Sequence, residues 1–298
     1  MNGTRLCGVG LAALIALGAT APSGAKVRKA GPFRYVSETT NIASGGGLAW
    51  DATCPDGSRL TGGGGSIAGP PSDVTMTSSF PLDGADAGSE IDDVWRAETF
   101  NDTASSKQAW VDAVCLRTGT GGSQLDYASD GNAIGAGNIS TFAGATCSGR
   151  VVGGGANLPG NPANEALNST FPLPPGGDGT PTNQWSARVR SSNGPTTLFG
   201  FAICLPQGAM KFRYRTTERI IFGGQNRRAV AKCPAKGSWR VAGGGMRGVF
   251  LTLSLTRPWD SGDKGKAPDD GWVVKAGLPS PFSDPVVVQA WAVCVKNN

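Results

Sequence analysis

The sequence contains no histidine among its 298 residues. Without an imidazole there can be no Ser-His-Asp triad, no Cys-His pair and no histidine-ligated metal site. Charged residues make up only 16% of the chain, well below the roughly 25% of an average soluble domain. No apolar run after the N-terminal segment reaches the roughly 18 residues that a membrane helix needs. These absences favour a protein that binds over one that catalyses, and we expect no cofactor, no metal ion and no catalytic residue.

The N-terminal segment has the pattern of a secretory signal peptide. Arg5 supplies a positive charge, an apolar run follows, and small residues come next. Cleavage after Ala25 is favoured, because the alternative site after Ala21 would leave a proline at the new terminus. We therefore predict that residues 1–25 are a signal peptide and that residues 26–298 form one exported domain, in the extracellular, periplasmic or cell-wall space.

A unit of about 90 residues occurs three times in the chain. Each copy contains, in order, a tyrosine, Ala-x-Cys, a glycine run, a hydroxyl residue two positions before proline, a tryptophan and Ala-Val/Ile-Cys. Self-similarity at a fixed period indicates a repeat architecture. The copies cover residues 33–117, 125–206 and 212–296.

Each copy reads as four to six short strands separated by Gly, Pro, Asn and Asp turns, with no convincing helix. The 46 glycines and the low charge also suit an extracellular β protein. We predict an all-β protein made of three sequential, disulfide-stapled β-repeats in a pseudo-threefold arrangement. That arrangement could be a β-prism or a β-trefoil-like ring.

Six cysteines remain once Cys7 of the predicted signal peptide is removed, and an even number in an oxidising compartment indicates disulfides. Repeat symmetry leaves two pairings: each copy closed on itself, or neighbouring copies linked with Cys54–Cys294 closing the ring. We favour the first, because most repeat units carry their own cross-links. The predicted bonds are Cys54–Cys115, Cys147–Cys204 and Cys233–Cys294.

The pattern resembles the β-prism proteins of the vitelline membrane outer layer type, which have three sequential β-units. In that family each unit opens near Cys-Pro-x-Gly and ends on a cysteine. The segment 54–57 fits this opening, Cys233-Pro234 fits in part, and Cys147-Ser148-Gly149 departs from it. The copies here are longer, and the glycine run is not part of the family pattern. The resemblance implies a β-prism fold.

The glycine runs are interpreted as structural, because they lack the lysine and the helix of a phosphate-binding loop. We expect the three repeated tryptophans, Trp95, Trp185 and Trp272, to pack against them as core anchors. The alternative is three exposed indoles that stack on sugar rings.

Other side chains are the better candidates for ligand contact. Trp239 and Trp259 are not repeated and lie in basic, loop-like surroundings, so we expect them to be exposed. Acid pairs precede two of the repeated tryptophans and could bind calcium or hydrolyse a glycoside, although the turn preference of Asp is the favoured explanation. These acids are Asp92, Asp93, Asp269 and Asp270.

Charge separates the copies. Residues 33–123 carry a net charge of −7 and residues 211–298 a net charge of +9. Opposite charges would favour contact between the first and third copies, and the basic copy could instead bind an anionic polymer.

The pattern as a whole favours a secreted, lectin-like binding protein for a glycan or an anionic cell-envelope polymer, with no specific nucleic-acid partner. We expect its contacts in the segments Ser72 to Asp92, Asn157 to Asn183 and Thr256 to Asp270, where the copies differ most. Two alternatives stay open. One is a polysaccharide hydrolase, which needs a carboxylate pair in one cleft. The other is a secreted inhibitor or adhesin with a protein partner.

Overall fold

A computed structural model of the protein describes strands in almost every part of the chain that it covers. The described residues are 23–84, 91–135, 141–160, 165–173, 183–191, 196–262, 267–280 and 282–297. Residues 1–22 of the predicted signal peptide lie outside these ranges. Two short 3-10 turns, Thr118–Thr120 and Gly122–Gln124, are the only helical elements of the described residues, which confirms the predicted all-β class.

The first repeat and the strand before it contribute β1 (Ser23–Ala30), β2 (Phe33–Ile42), β3 (Gly46–Thr53), β4 (Ser58–Ile67), β5 (Val74–Leu82), β6 (Val94–Asn101) and β7 (Lys107–Arg117). The second repeat contributes β8 (Asp126–Ile134), β9 (Thr141–Thr146), β10 (Arg150–Asn157), β11 (Glu165–Pro172), β12 (Gln184–Ser191) and β13 (Thr196–Leu205). The third contributes β14 (Lys211–Ile221), β15 (Asn226–Lys232), β16 (Arg240–Arg247), β17 (Thr252–Trp259), β18 (Gly271–Gly277) and β19 (Val286–Lys296). β1 therefore stands outside a pattern of six strands in each repeat.

Each sheet combines strands from two repeats. Sheet A has the order β1-β2-β7-β4-β17-β18-β15, sheet B β3-β6-β5-β10-β13-β8, and sheet C β14-β19-β16-β11-β12-β9. Sheet A thus joins the first and third repeats, sheet B the first and second, and sheet C the second and third. This cyclic exchange closes a ring of three repeats, in agreement with the prism-like form of the prediction.

The disulfides follow the predicted pairing within each repeat. The structure contains Cys54–Cys115, Cys147–Cys204 and Cys233–Cys294. Each bond links the end of a repeat's second strand to its last strand, and therefore ties two different sheets together.

The repeated tryptophans are core residues, as predicted. Trp95, Trp185 and Trp272 are at most 1% exposed. A Cβ atom on the second glycine of each run would overlap the indole of the same repeat, so glycine is needed there to let the ring lie flat on the strand. Each indole Nε1–H donates a hydrogen bond to the hydroxyl that precedes the repeated proline. The acceptors are Ser79 at 3.0 Å, Thr170 at 2.7 Å and Thr256 at 2.8 Å.

The three repeats meet at the first glycine of each run. A Cβ atom on Gly62 would contact Gly243 of the third repeat, one on Gly243 would contact Gly153, and one on Gly153 would contact Gly62. The three central strands β4, β10 and β16 therefore approach one another backbone to backbone.

The three tyrosines of the protein tie this junction. Each hydroxyl donates to a carbonyl on the central strand of another repeat: Tyr35 to Val241 at 2.8 Å, Tyr127 to Leu60 at 2.8 Å and Tyr214 to Val151 at 2.9 Å. Each acceptor sits at the register shift of its strand, where a carbonyl is left outside the regular ladder. The single position shared by all the tyrosines thus serves ring closure.

The third glycine of each run is spanned by a pair of side chains. In sheet B, Phe80 and Phe201 stack at a centroid distance of 5.6 Å on either side of Gly155. In sheet C, Phe171 and Trp291 do the same at 6.4 Å across Gly245. In sheet A the equivalent pair is Asp112 and Arg257, across Gly64, with Arg257 Nε 2.8 Å from Asp112 Oδ2. One of three equivalent positions is therefore ionic instead of aromatic.

Candidate functional site

The acid pairs predicted as ligand contacts lie in structural positions. Asp92 and Asp269 are 3% and 5% exposed, and each pairs with an arginine at the start of its glycine strand. The distances are 2.7 Å from Arg59 Nε to Asp92 and 2.6 Å from Arg240 Nε to Asp269.

The second acid of each pair supports the neighbouring cysteine. The carbonyls of Asp93 and Asp270 accept hydrogen bonds from the amides of Cys54 and Cys233. The carbonyl of Asn183 does the same for Cys147. The acids therefore organise the turn before the tryptophan strand, and they do not form an open carboxylate pair.

The expectation that Trp239 is exposed is wrong, because Trp239 is only 7% exposed. The cations of Arg213 and Lys296 lie 5.1 and 5.2 Å from the centre of its ring and cover it. Trp259 is half-buried, with Lys232 Nζ 5.0 Å from its ring centre. Both indoles are thus engaged by cations, which hold basic side chains in place on the third repeat.

A cleft of about 490 Å³ lies where all three repeats meet. Such a volume is in the range of small-ligand sites. Its walls are mostly polar and carry hydroxyl and amide groups, together with one arginine and one glutamate. The lining residues that offer polar side chains are Ser72, Thr75, Glu165, Arg190, Gln225, Asn226, Thr252 and Ser280.

Two of the three segments predicted to contact ligand contribute to this cleft. Ser72 and Thr75 belong to the first of them, and Glu165 to the second. No described residue of the third segment lines the cleft. These segments are not simple loops, because they contain the strands β5 and β11 and the last residues of β17.

Glu165 supplies the cleft with a carboxyl group whose pKa is shifted. Burial raises the pKa of Glu165 to about 7, and the negative charge of Glu98 adds to the shift. Glu98 comes from the first repeat and Glu165 from the second, so only the folded ring brings them together. Nothing in the sequence marks either residue, which explains why neither was predicted.

The segment that contains the consecutive strands β14 and β15, which belong to sheets C and A, also reaches the cleft. Its turn supplies Gly224, Gln225 and Asn226 to the lining. The turn is anchored to Leu278 by two backbone hydrogen bonds, Gly224 N to Leu278 O at 2.9 Å and Leu278 N to Gln225 O at 3.0 Å. We call residues 211–232 the basic segment. Its exposed cations are Lys211, Arg213, Arg215, Arg219, Arg227, Arg228 and Lys232.

Four of these cations form a row along one face of β14. They occupy alternate positions from Lys211 to Arg219, so neighbouring side chains point the same way. The row is about 27 Å long at roughly 3.4 Å per residue. Glu218 is the only acidic residue in the sequence of the basic segment. It lies on the other face of β14 and accepts a hydrogen bond from Gln289.

The other two repeats have no such row. The positions equivalent to Lys211, Arg213, Arg215, Thr217 and Arg219 are Pro32, Arg34, Val36, Glu38 and Thr40 in the first repeat, and Gln124, Asp126, Ala128, Asp130 and Asn132 in the second. β14 is also an edge strand of sheet C, whereas β2 of the first repeat is covered by β1. The basic row is therefore a feature of one repeat and is not required by the fold.

The described residues contain no group of three or more Cys, Asp or Glu side chains that could hold a metal ion. Nor does the described part of the chain contain a helix long and apolar enough to span a membrane. Comparison with family models and with curated proteins finds no match to this chain. The function must therefore be argued from the geometry alone.

Proposed function

We propose that this protein is an exported, non-enzymatic binding protein for an anionic glycan or cell-envelope polymer. The basic segment would follow the charged polymer, and the cleft at its turn would accommodate part of that polymer. The row of exposed cations on β14 carries the proposal.

The electrostatics support a linear, negatively charged ligand. Cations spaced about 7 Å apart along a strand present several positive charges to a polymer and only one or two to a small molecule. Arg213 is held over Trp239, which reduces the entropy that it would lose on binding. The three disulfides suit an oxidising compartment, where such polymers occur.

The cleft supports a sugar-containing ligand. Hydroxyl and amide side chains can both donate to and accept from sugar hydroxyls. The described lining has no aromatic ring, so recognition would depend on hydrogen bonds and charge and not on stacking. Arg190, which is exposed at the cleft, adds a cation that suits an acidic sugar.

Edge protection is the competing role for the cations. Charged side chains on an edge strand also prevent association between sheets. An experiment that measures polymer binding separates the two roles, because edge protection predicts no affinity for polyanions beyond that of any basic protein.

Binding of the purified protein to polygalacturonate and to neutral dextran tests the proposal. We expect binding to polygalacturonate alone, and about tenfold weaker binding when Arg215→Gln and Arg219→Gln are combined. The control combines Lys29→Gln and Arg117→Gln, which removes the same charge from exposed positions elsewhere. Equal losses in the two variants would reduce the effect to net charge and contradict the proposal.

A second function is favoured by one observation, the proximity of Glu98 and Glu165. A carboxyl group with a pKa raised to about 7 can serve as the general acid of glycoside hydrolysis, and the charge of Glu98 adds to this shift. Release of reducing sugar from any polysaccharide of the same panel, lost in Glu165→Gln, would replace the binding proposal with a hydrolase. Absence of both binding and release would favour a protein partner.

A further inference from the structure

The strongest departure from threefold symmetry lies on sheet A, at the pair formed by Asp112 and Arg257. The equivalent pairs in the other sheets are two stacked aromatic side chains, which need no polar surroundings. Asp112 is 2% exposed, and a buried carboxylate is costly unless it is paired. Arg257 meets it with two nitrogens, Nε at 2.8 Å and Nη2 at 2.9 Å. The fold does not need this ion pair, since two sheets of the same design do without one.

The ion pair forms part of a cleft of about 380 Å³. Its polar and aromatic lining consists of Lys26, Arg28, Tyr35, Ser37, Thr39, Gln108, Trp110, Asp112 and Arg257. Strand register explains the grouping, because Lys26, Ser37, Asp112, Gly64 and Arg257 follow one another across the sheet. Gly64 has no side chain, so Arg257 can reach across it to Asp112.

The additional strand β1 completes this cleft. β1 pairs with β2 in sheet A alone, and it carries Lys26 and Arg28 on the cleft side. Both side chains are exposed. The element that sheets B and C lack is thus also the element that brings two cations to the ionic pair.

The charges of the cleft favour an anion. Arg257 neutralises Asp112, which leaves Lys26 and Arg28 to make the cleft positive. Burial raises the pKa of Asp112, while the charge of Arg257, a hydrogen bond from Ser37 and the charge of Arg28 lower it. Trp110 is half-buried beside these groups and offers part of an indole as an apolar wall.

We propose that this cleft binds a small organic carboxylate of sugar size, a uronic acid, with its carboxylate at Lys26 and Arg28 and its ring against Trp110. Arg257 and Asp112 form the polar floor, where the outer N–H groups of Arg257 and the hydroxyls of Ser37 and Thr39 meet the sugar hydroxyls. The cleft volume lies in the range of small-ligand sites. The site is separate from the basic segment, since β1 is an edge strand of sheet A, whereas β14, which carries the row of cations, is an edge strand of sheet C.

Titration calorimetry with galacturonate and with neutral galactose tests the assignment on the whole protein. We expect binding of galacturonate only, and about tenfold weaker binding when Lys26→Gln and Arg28→Gln are combined. The control is again Lys29→Gln with Arg117→Gln, which should leave the affinity unchanged. Equal affinity for the two sugars, or an equal loss in the control, would overturn the proposal.

A second variant uses the symmetry of the fold. Asp112→Phe combined with Arg257→Phe installs the aromatic pair of sheet B, so we expect a folded protein with an unchanged far-UV circular dichroism spectrum in which galacturonate binding is lost. Retained binding in this folded variant would exclude the cleft. Because neither set of substitutions changes the basic segment, both variants should still bind polygalacturonate. The galacturonate site can therefore be disproved while the polymer proposal stands, and the polymer proposal can be disproved while the galacturonate site stands.

Discussion

The first three glycines of each run have three different tasks, one per residue. The first meets the central strands of the other repeats, the second lies under the tryptophan, and the third packs against a backbone carbonyl of the adjacent strand, between the two members of a side-chain pair. A motif that looks like a ligand-binding loop in the sequence is therefore used completely by packing.

Substitution of the second glycine tests this packing. In Gly154→Ala the new Cβ would meet the indole of Trp185 and the carbonyl oxygen of Phe201. We expect a loss of about 1–3 kcal/mol in the free energy of unfolding, the usual effect of overpacking. Urea denaturation measures it. Gly119→Ala, where a Cβ meets nothing within 4 Å, is the control and should change stability by less than about 0.5 kcal/mol.

Glu165 gives the protein a predictable pH dependence. Its pKa in the folded state is raised to about 7 from the ordinary value of 4.5, so the folded protein holds the proton more tightly than the unfolded chain. Stability from this group is therefore highest below pH 4.5 and falls as the pH rises to about 7.

Removal of this carboxyl group should remove its share of the fall. Relative to wild type, Glu165→Gln should raise the melting temperature more at pH values above the folded pKa than in mild acid, because only there is a buried charge eliminated. Melting curves across this range measure the difference. Glu218→Gln, at an exposed site, is the matched control, and a parallel change in both variants would contradict the assignment.

At the level of elements, the tyrosine hydrogen bonds between repeats should differ in strength. Tyr35 is 2% exposed, whereas Tyr127 and Tyr214 are half-buried. Loss of a hydroxyl leaves a carbonyl without its donor, and this costs more where water cannot replace it.

Single Tyr→Phe variants test that order. We expect Tyr35→Phe to lose about 1–3 kcal/mol of unfolding free energy and Tyr127→Phe to lose less. Chemical denaturation of the two variants measures both values side by side. A smaller loss at Tyr35 than at Tyr127 would show that burial does not control the strength of these bonds.

Sequence reasoning succeeded for elements that every repeat shares. The disulfides, the buried tryptophans and the strand content followed from residues that recur at fixed spacing, so each copy supported the interpretation of the others. It failed where the copies differ. Trp239 has no counterpart, and its burial depends on Arg213 and Lys296, which come from other strands.

The clefts were beyond prediction for the same reason. Asp112 meets Arg257 because sheet A takes strands from two repeats, and the charge of Glu98 in sheet B acts on Glu165 in sheet C because the repeats close into one ring. Pairing between repeats is set by contacts that are far apart in the chain, and no local pattern specifies its order. The opposite charges of the first and third repeats did indicate a contact, and Arg257–Asp112 is one ion pair across it.

For the whole molecule, strand exchange makes the ring cooperative. The half-sheet of each repeat is completed by a neighbour, so an isolated repeat would expose an unpaired central strand and the glycine surface against it. We expect residues 33–117 expressed alone to lack a cooperative thermal transition even with the Cys54–Cys115 bond formed. Circular dichroism and proton NMR measure this, and a folded single repeat would contradict the role assigned to ring closure.

The salt dependence of polygalacturonate binding tests the central claim, that the basic segment binds along an anionic polymer. Each cation that contacts the polymer contributes about one unit to the slope of log affinity against log salt concentration. We predict that combining Arg215→Gln with Arg219→Gln lowers this slope by about two, whereas Lys29→Gln with Arg117→Gln leaves it close to the wild-type value. An unchanged slope in the variant of Arg215 and Arg219, or the same decrease in this variant and the control, would show that the polymer does not lie along β14.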